Sequence, residues 1–289
     1  MHLNFRILEL SSHGEELLRA SKTGRVHSVY RNTCNILLGN ELLALQTSGS
    51  VLSPLSLITE CSSFQKDFFA SGRVTVSYPF LSFSPEMVFS YQCAAITDTV
   101  LSATCFSAEE LASLIRAAMC GRGCSGFAPA LFPSTSRDAD SDILLSYVKS
   151  CLADCAALFS TSEYARSAYV LCKLIGLGIG LTPSGDDFLC GVLAGAHLMC
   201  QTGHPFIRQL SARLSECLSL TNDISQSFLT LALQGQFSRP VLLLQKEIEP
   251  ELLYRNFQAI GHSSGLDTLC GIFFISRLFI AKEQPHFPH

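Results

Sequence analysis

The sequence predicts an α+β protein, in which an N-terminal β-rich unit, a small antiparallel sheet or barrel, is followed by a multi-helix domain. Between residues 25 and 105, short runs of β-branched and aromatic residues alternate with Gly, Pro, Ser and Asn, which is typical of strands joined by turns. From residue 107 onward, apolar residues instead recur at the spacing of one helical face. The 289 residues suffice for two ordinary domains, which we place at residues 1–106 and 107–289.

The β-rich unit contains several predicted strands, preceded by a short helix around residues 15–18. The dipeptide Gly39-Asn40 separates two of the strands and predicts a hairpin turn. The predicted strands span residues 26–30, 35–38, 41–45, 73–78 and 87–91.

The helical domain opens with Ser107 and Glu110, a pair typical of a capping box. Residues 140–142 and 161–163 are further predicted helix N-caps. Short loops join the helices, which favours a compact bundle. The predicted helices span residues 140–159, 163–176, 186–200, 205–219, 223–234, 247–260 and 266–281.

The composition excludes several classes of protein. Charged residues make up only 15% of the chain and the net charge is −4, so there is no electrostatic case for nucleic-acid binding. We expect no membrane contact, because the apolar run at residues 271–279 is too short to span a bilayer and contains Arg277. This run is therefore predicted to be a buried helix. A surface so poor in charge favours burial against a protein partner.

The chain contains thirteen cysteines, a number that first suggests a disulfide framework. The odd count, the length of the chain and the absence of a signal-peptide pattern at the N-terminus argue against that interpretation. We therefore expect a cytoplasmic protein whose thiols are reduced and lie mainly in the core.

The strongest motif is a repeated segment, Ser-Gly-x-Asp-x-Leu-Cys-Gly, which occurs at residues 184–191 and again at residues 264–271. Asp187 in the first copy corresponds to Asp267 in the second. Two equivalent helix starts in one helical domain predict a pair related by approximate two-fold symmetry, with both N-termini facing one cleft. The final glycines, Gly191 and Gly271, then mark positions where the helices pack closely.

The repeat supplies most of the candidate site residues. Asp187 and Asp267 are candidate catalytic residues, and His262, next to the second copy, is a candidate for proton transfer. Free N–H groups at helix starts bind phosphate or carboxylate groups, whereas Asp186, Asp187 and Asp267 could instead gather a divalent cation such as Mg²⁺. The candidate substrate- or phosphate-binding residues are Gly178, Gly180, Thr182, Ser184, Gly185, Asp186, Thr221, Ser225, Ser263, Ser264 and Gly265.

Each of these residues also has a purely structural interpretation. Ser184, Asp186 and Asp187 are ordinary residues for a helix cap and first turn, and Thr221 could cap the helix that follows it. The glycine-rich stretch at residues 121–126 resembles a phosphate-binding loop in composition only, since it lacks the Lys-Ser/Thr ending of a P-loop.

Residues 178–187, Thr221 with Ser225, residues 232–235 and residues 261–269 together resemble a bacterial family that includes the AllH subunit of oxamate carbamoyltransferase. The resemblance implies a subunit that acts with other subunits on a small anionic substrate. The implied reaction moves a carbamoyl group between oxalurate and phosphate in purine (allantoin) catabolism. The resemblance carries no catalytic assignment, so the candidate residues rest on the repeated motif.

Two other functions remain open at this point. The chain could be a non-catalytic scaffold or anion-sensing module, or a metal-dependent hydrolase that uses its aspartates to hold metal-bound water. A scaffold would use the motif carboxylates as buried caps, whereas an enzyme would expose at least two of them in a cleft. Phosphate chemistry also requires cations, for which the candidates are Arg122, Lys173 and Arg239.

Overall fold

A computed structural model describes residues 3–64, 72–102, 105–122, 125–132, 143–246 and 249–283. The chain divides into two compact units. The first comprises Met1–Val100 with Gln236–Arg239, and the second comprises Leu101–Gly235 with Pro240–His289. The division into domains at residues 1–106 and 107–289 stays a prediction.

The first unit is a closed, mixed β-barrel. Eight strands follow the order β5-β4-β3-β2-β6-β7-β8-β1, and pairing of β1 with β5 closes the barrel, while β9 pairs with β1. The pairs β1–β8, β1–β9 and β4–β5 are parallel, so the predicted barrel is present but is not purely antiparallel. The strands are β1 (Leu3–Ser11), β2 (Thr23–Val29), β3 (Thr33–Leu38), β4 (Glu41–Gln46), β5 (Ser56–Thr59), β6 (Arg73–Ser77), β7 (Phe80–Ser84), β8 (Met87–Ser90) and β9 (Ala95–Thr97).

Local sequence explains much of this unit. In β6, Val74 and Val76 are buried while the residues between and beside them are exposed, the alternation expected of a strand with one face in a core. Gly39 has a φ of 63° in the turn that joins β3 and β4, as the predicted hairpin requires. Helix α1 (Ser12–Ala20) contains the predicted helical residues, and the Ser11 side chain caps its first turn.

The second unit is helical. The predicted capping box of Ser107 and Glu110 opens α2. The predicted N-cap at residues 161–163 is only partly correct, since Glu163 precedes α5 but makes no capping hydrogen bond, and residues 140–142 lie outside the described residues. The helices that follow the barrel along the chain are α2 (Ala108–Met119), α3 (Ala128–Leu131), α4 (Ile143–Ser160), α5 (Tyr164–Leu171), α6 (Ser184–Leu198), α7 (Pro205–Cys217), α8 (Asp223–Leu233), α9 (Arg239–Leu243), α10 (Pro250–Gln258) and α11 (Ser264–Glu283).

Helices α6 and α11, which begin with the two motif copies, cross at their glycines. A Cβ on Gly191 would lie 2.1 Å from the carbonyl oxygen of Thr268, and one on Gly271 would lie 2.0 Å from that of Phe188. Any side chain would therefore push the helices apart. This confirms the prediction that Gly191 and Gly271 mark close helix packing, and it fixes the two helix starts relative to each other.

Most of the described cysteines are buried, but one pair departs from the prediction of reduced thiols. Cys105 and Cys200 form a disulfide, so the expectation that all thiols are reduced is wrong for them. Their proximity follows from the hydrogen bond that the Phe106 N–H donates to the Leu198 carbonyl at 2.9 Å, which brings the segment before α2 to the end of α6. The buried cysteines outside this disulfide are Cys34, Cys61, Cys151, Cys155, Cys172, Cys217 and Cys270.

Two helices of the described residues, α4 and α11, are long and apolar enough to cross a membrane by length and composition alone. Most of α11 is buried inside the second unit, as predicted for residues 271–279, which is typical of a core helix. Helix α4 is one-third buried. The absence of membrane contact stays a prediction.

Candidate functional site

The N-termini of α6 and α11 bring the two motif copies together within the helical unit. The Thr182 hydroxyl, just before α6, lies 2.8 Å from the hydroxyl of Ser264, the first residue of α11. Ser264 lies beside Asp187, and Ser184 lies beside Asp267. Each aspartate therefore neighbours the serine of the other copy, which is the arrangement that two motifs related by an approximate two-fold axis produce.

Asp267 is the more enclosed of the two aspartates. Its side chain is 0% exposed, and its Oδ1 accepts a hydrogen bond from the Phe127 N–H at 2.6 Å. Its Oδ2 is buried and has no hydrogen-bond partner. Burial raises the pKa of this carboxyl to about 7, although the Phe127 N–H and the neighbouring serine hydroxyls favour the charged form.

The backbone that covers Asp267 comes from the glycine-rich stretch. Gly126 has a φ of 60°, and a Cβ there would lie 2.2 Å from Asp267 Oδ1. Glycine at this position is therefore needed both for the turn and for the approach of the Phe127 N–H. Gly126 and Phe127 were not predicted as site residues, and the glycine-rich composition of residues 121–126 was the available signal. Residues 123 and 124 lie outside the described residues.

Asp187 is only partly buried, but its Oδ2 atom is buried without a hydrogen-bond partner. Burial raises the pKa of Asp187 to about 8, and the negative charge of Asp267 acts in the same direction. The hydroxyls of Ser264 and Thr182 oppose this shift by favouring the carboxylate. Near neutral pH, the pair therefore holds a proton that one carboxyl can donate while the other accepts a hydrogen bond.

Asp186 has a different role, which the structure assigns to the fold. The Gly176 N–H donates to its Oδ1 at 2.8 Å and the Thr221 hydroxyl donates to its Oδ2 at 2.5 Å. Asp186 and Thr221 thus satisfy each other rather than an external ligand. No cluster of three or more His, Cys, Asp or Glu side chains suited to a metal occurs among the described residues, so the predicted three-aspartate cation site is not found.

The motif glycines Gly185 and Gly265 perform the same task in the two copies. A Cβ on Gly185 would lie 1.8 Å from the carbonyl oxygen of Leu174, and one on Gly265 would lie 1.8 Å from that of Phe257. Each glycine lets a helix start pack directly against the backbone of the preceding segment. Their predicted contribution to ligand binding is therefore indirect, through the position of the helix starts.

The loop before α6 also depends on glycine. Gly178 has a φ of 123° and its absent Cβ would lie 2.7 Å from the Ser184 nitrogen, whereas Gly180, with a φ of 112°, has open space beside it. Ser184 was expected to cap α6, but the N-cap is Pro183, without a capping side chain. Because Ser184 is the first helical residue, its side chain instead lies beside Asp267.

The remaining candidates lie around this centre. The Ser263 carbonyl accepts the Asp267 N–H at 2.9 Å and so begins α11. His262 has an exposed side chain, and its carbonyl oxygen lies 3.4 Å from the Ser125 hydroxyl. Ser225 is fully buried on α8, and its hydroxyl has no hydrogen-bond partner. Proton transfer by His262 and ligand binding by Ser225 stay predictions.

The candidate cations take part in other interactions. Arg122 pairs with Glu251, Arg239 pairs with Glu9, and the Lys173 ammonium lies 5.5 Å from the centre of the Tyr169 ring. Among the described residues, no cation is one of the groups that shift the pKa of Asp187 or Asp267. The carboxyl pair is therefore suited to N–H donors, and its charge alone would repel a phosphate.

Comparison with known proteins identifies two matching family models. A family model described as oxamate carbamoyltransferase subunit AllH matches residues 174–276, which include both motif copies. A second model, the AllH family N-terminal domain, matches residues 6–96, which include most of the barrel. No solved structure matches the chain. Because the two models together cover most of the sequence, the chain belongs to the AllH family.

Proposed function

We propose that this protein is a subunit of an oxamate carbamoyltransferase-like enzyme that moves a carbamoyl group between oxalurate and phosphate in purine (allantoin) catabolism. The family to which it belongs is named for a subunit of such an enzyme, which supports the presence of other subunits. The small anionic substrate and the cytoplasmic location expected from the sequence form part of the proposal.

One observation carries the proposal: two carboxyl groups, Asp187 and Asp267, each have a buried Oδ2 without a hydrogen-bond partner. A carbamoyl group presents N–H donors and a carbonyl acceptor. A carboxyl pair of which one member is protonated offers the complementary acceptors and donor. Leaving these oxygens unpaired costs free energy, which a bound amide would recover.

The same site does not account for phosphate binding. No cation of the described residues is among the groups that shift the pKa of either carboxyl, so the pair alone would repel a phosphate. Transfer to phosphate, however, requires positive charge near the moving group. We infer that a partner subunit supplies that charge when it covers this site. Closure by a partner would also exclude water from carbamoyl phosphate.

The test is reconstitution. The chain is co-expressed with its partner subunits, and phosphate-dependent cleavage of oxalurate to oxamate is measured for the complex and for the isolated chain. We expect activity only in the complex. Full activity of the isolated chain would contradict the need for a partner, and an inactive, fully assembled complex would contradict the proposed reaction.

A second candidate is a non-catalytic scaffold or anion-sensing module. Asp186 favours it, because this motif carboxylate is buried and wholly used by Gly176 and Thr221. Substituting Asp187 and Asp267 separates the two functions. If Asp187→Asn and Asp267→Asn complexes assemble and retain full activity, the motif shapes the subunit only; loss of activity with intact assembly supports the enzyme site.

A further inference from the structure

The Ser264 hydroxyl has the surroundings of a nucleophile. It lies 2.8 Å from the Thr182 hydroxyl, and Asp187 lies beside both hydroxyls. All three residues are partly exposed. A nucleophilic hydroxyl next to a carboxyl base and a second orienting hydroxyl is an arrangement used for covalent catalysis.

Two features favour ionisation of this hydroxyl at the moment of attack. Ser264 is the first residue of the 20-residue helix α11, where the helix dipole stabilises negative charge. Burial raises the pKa of Asp187 to about 8, so its ionised form is a stronger base than the carboxylate of an ordinary aspartate.

The two motif copies are not equivalent in this respect. Ser184 is only 8% exposed and lies beside Asp267, which is 0% exposed and already accepts the Phe127 N–H. That pair is enclosed, whereas Ser264 and Asp187 are accessible. The enclosed Asp267, with its unpartnered Oδ2, is placed to orient a ligand rather than to activate an attacking group.

We propose that Ser264 accepts the carbamoyl group covalently during transfer, with Asp187 as its base; this inference rests on the proposed function. Ser264 Oγ attacks the carbamoyl carbon of oxalurate while the ionised carboxylate of Asp187 takes the proton of the hydroxyl. The carbon–nitrogen bond then breaks, Asp187 returns the proton to the leaving nitrogen, and oxamate departs.

The second half of the transfer restores the serine. A phosphate oxygen attacks the carbon of the Ser264 carbamate ester, and the carbon–Oγ bond breaks. The proton lost by hydrogen phosphate returns to Ser264 Oγ, giving carbamoyl phosphate and the free hydroxyl. No oxidant, reductant or further reactant is needed.

The experiment uses the assembled complex with oxalurate and without phosphate. We expect one oxamate to be released per site, and this chain to gain the mass of one carbamoyl group in place of a hydrogen, located by peptide mapping at Ser264. Isotopically labelled oxamate should also exchange into oxalurate, because a carbamoylated enzyme can return the group to oxamate.

The matched variants are Ser264→Ala and Ser215→Ala, the latter an exposed serine on α7 whose hydroxyl bonds to the Ser211 carbonyl. Ser264→Ala should lose the label and slow the exchange by about a thousandfold or more, while Ser215→Ala keeps both. If Ser264→Ala fails to assemble, peptide mapping of the unsubstituted complex decides the question alone.

The outcomes separate this inference from the proposed function. If oxalurate is cleaved but the label lies at Ser184 or Thr182, or no covalent label forms, the role of Ser264 is overturned and the reaction still stands. Undiminished exchange in an assembled Ser264→Ala complex would lead to the same conclusion. Absence of phosphate-dependent cleavage in the unsubstituted complex would remove the proposed function and this inference together.

Discussion

Asp267→Asn is the substitution that most directly tests the buried carboxyl at the centre of the site. Asparagine has nearly the same shape, and its Oδ1 can still accept the Phe127 N–H that lies 2.6 Å from the aspartate oxygen. It cannot ionise, however. Comparing the two proteins therefore isolates the free energy of placing a charge at this position.

The sign and size of the effect follow from the pKa of Asp267. Burial raises that pKa from 3.8 to about 7, so the folded protein holds this proton more tightly than the unfolded chain. The resulting stabilisation is fully present below about pH 4 and is lost as the pH rises through about 7. At about 1.4 kcal/mol per pKa unit, the free energy of unfolding should fall by about 4 kcal/mol across this window relative to the variant.

The assay is urea denaturation followed by far-UV circular dichroism at several pH values within the window. Asp154→Asn serves as the control, because Asp154 lies exposed on α4. We expect the curves for the unsubstituted protein and Asp267→Asn to diverge as the pH rises. Parallel curves would show that Asp267 ionises freely in the folded state and that burial does not raise its pKa.

Two further substitutions test the supports of the site. Gly126→Ala should lower the free energy of unfolding by about 1–3 kcal/mol more than Gly121→Ala. Both glycines have a positive φ, but only Gly126 lies against Asp267. Equal losses of stability in thermal denaturation would contradict this close approach. Thr221→Val should cost about 1–3 kcal/mol by removing a partly buried donor to the buried Asp186, and unchanged stability in urea titrations would show that this bond is not needed.

The barrel shows where prediction from sequence succeeds and where it fails. The alternation of apolar and polar residues predicted β6, and Gly39-Asn40 predicted the turn between β3 and β4, because both signals are local. The strand that closes the barrel, β1, was not predicted. β1 pairs with β5, β8 and β9, which are distant from it along the chain. No local sequence pattern specifies which distant strands pair with each other.

The helical unit shows the same limit at the level of the site. The repeat was sufficient to predict close packing of Gly191 against α11, since equal motifs impose equal helix starts. It did not distinguish Asp186 from Asp187, although one is used by the fold and the other keeps an unpaired oxygen. That difference depends on Thr221, a residue supplied by another part of the chain.

The asymmetry between the two copies explains why a duplicated motif can serve a directional reaction. Both copies place a serine and an aspartate at a helix start, and symmetry alone would give the aspartates the same properties. The backbone at Gly126 and Phe127 lies against Asp267, which is fully buried, while Asp187 stays partly exposed beside Ser264. Because different surroundings give chemically identical carboxyls different roles, the enclosed aspartate is suited to hold and orient the ligand. The accessible one is suited to move the proton.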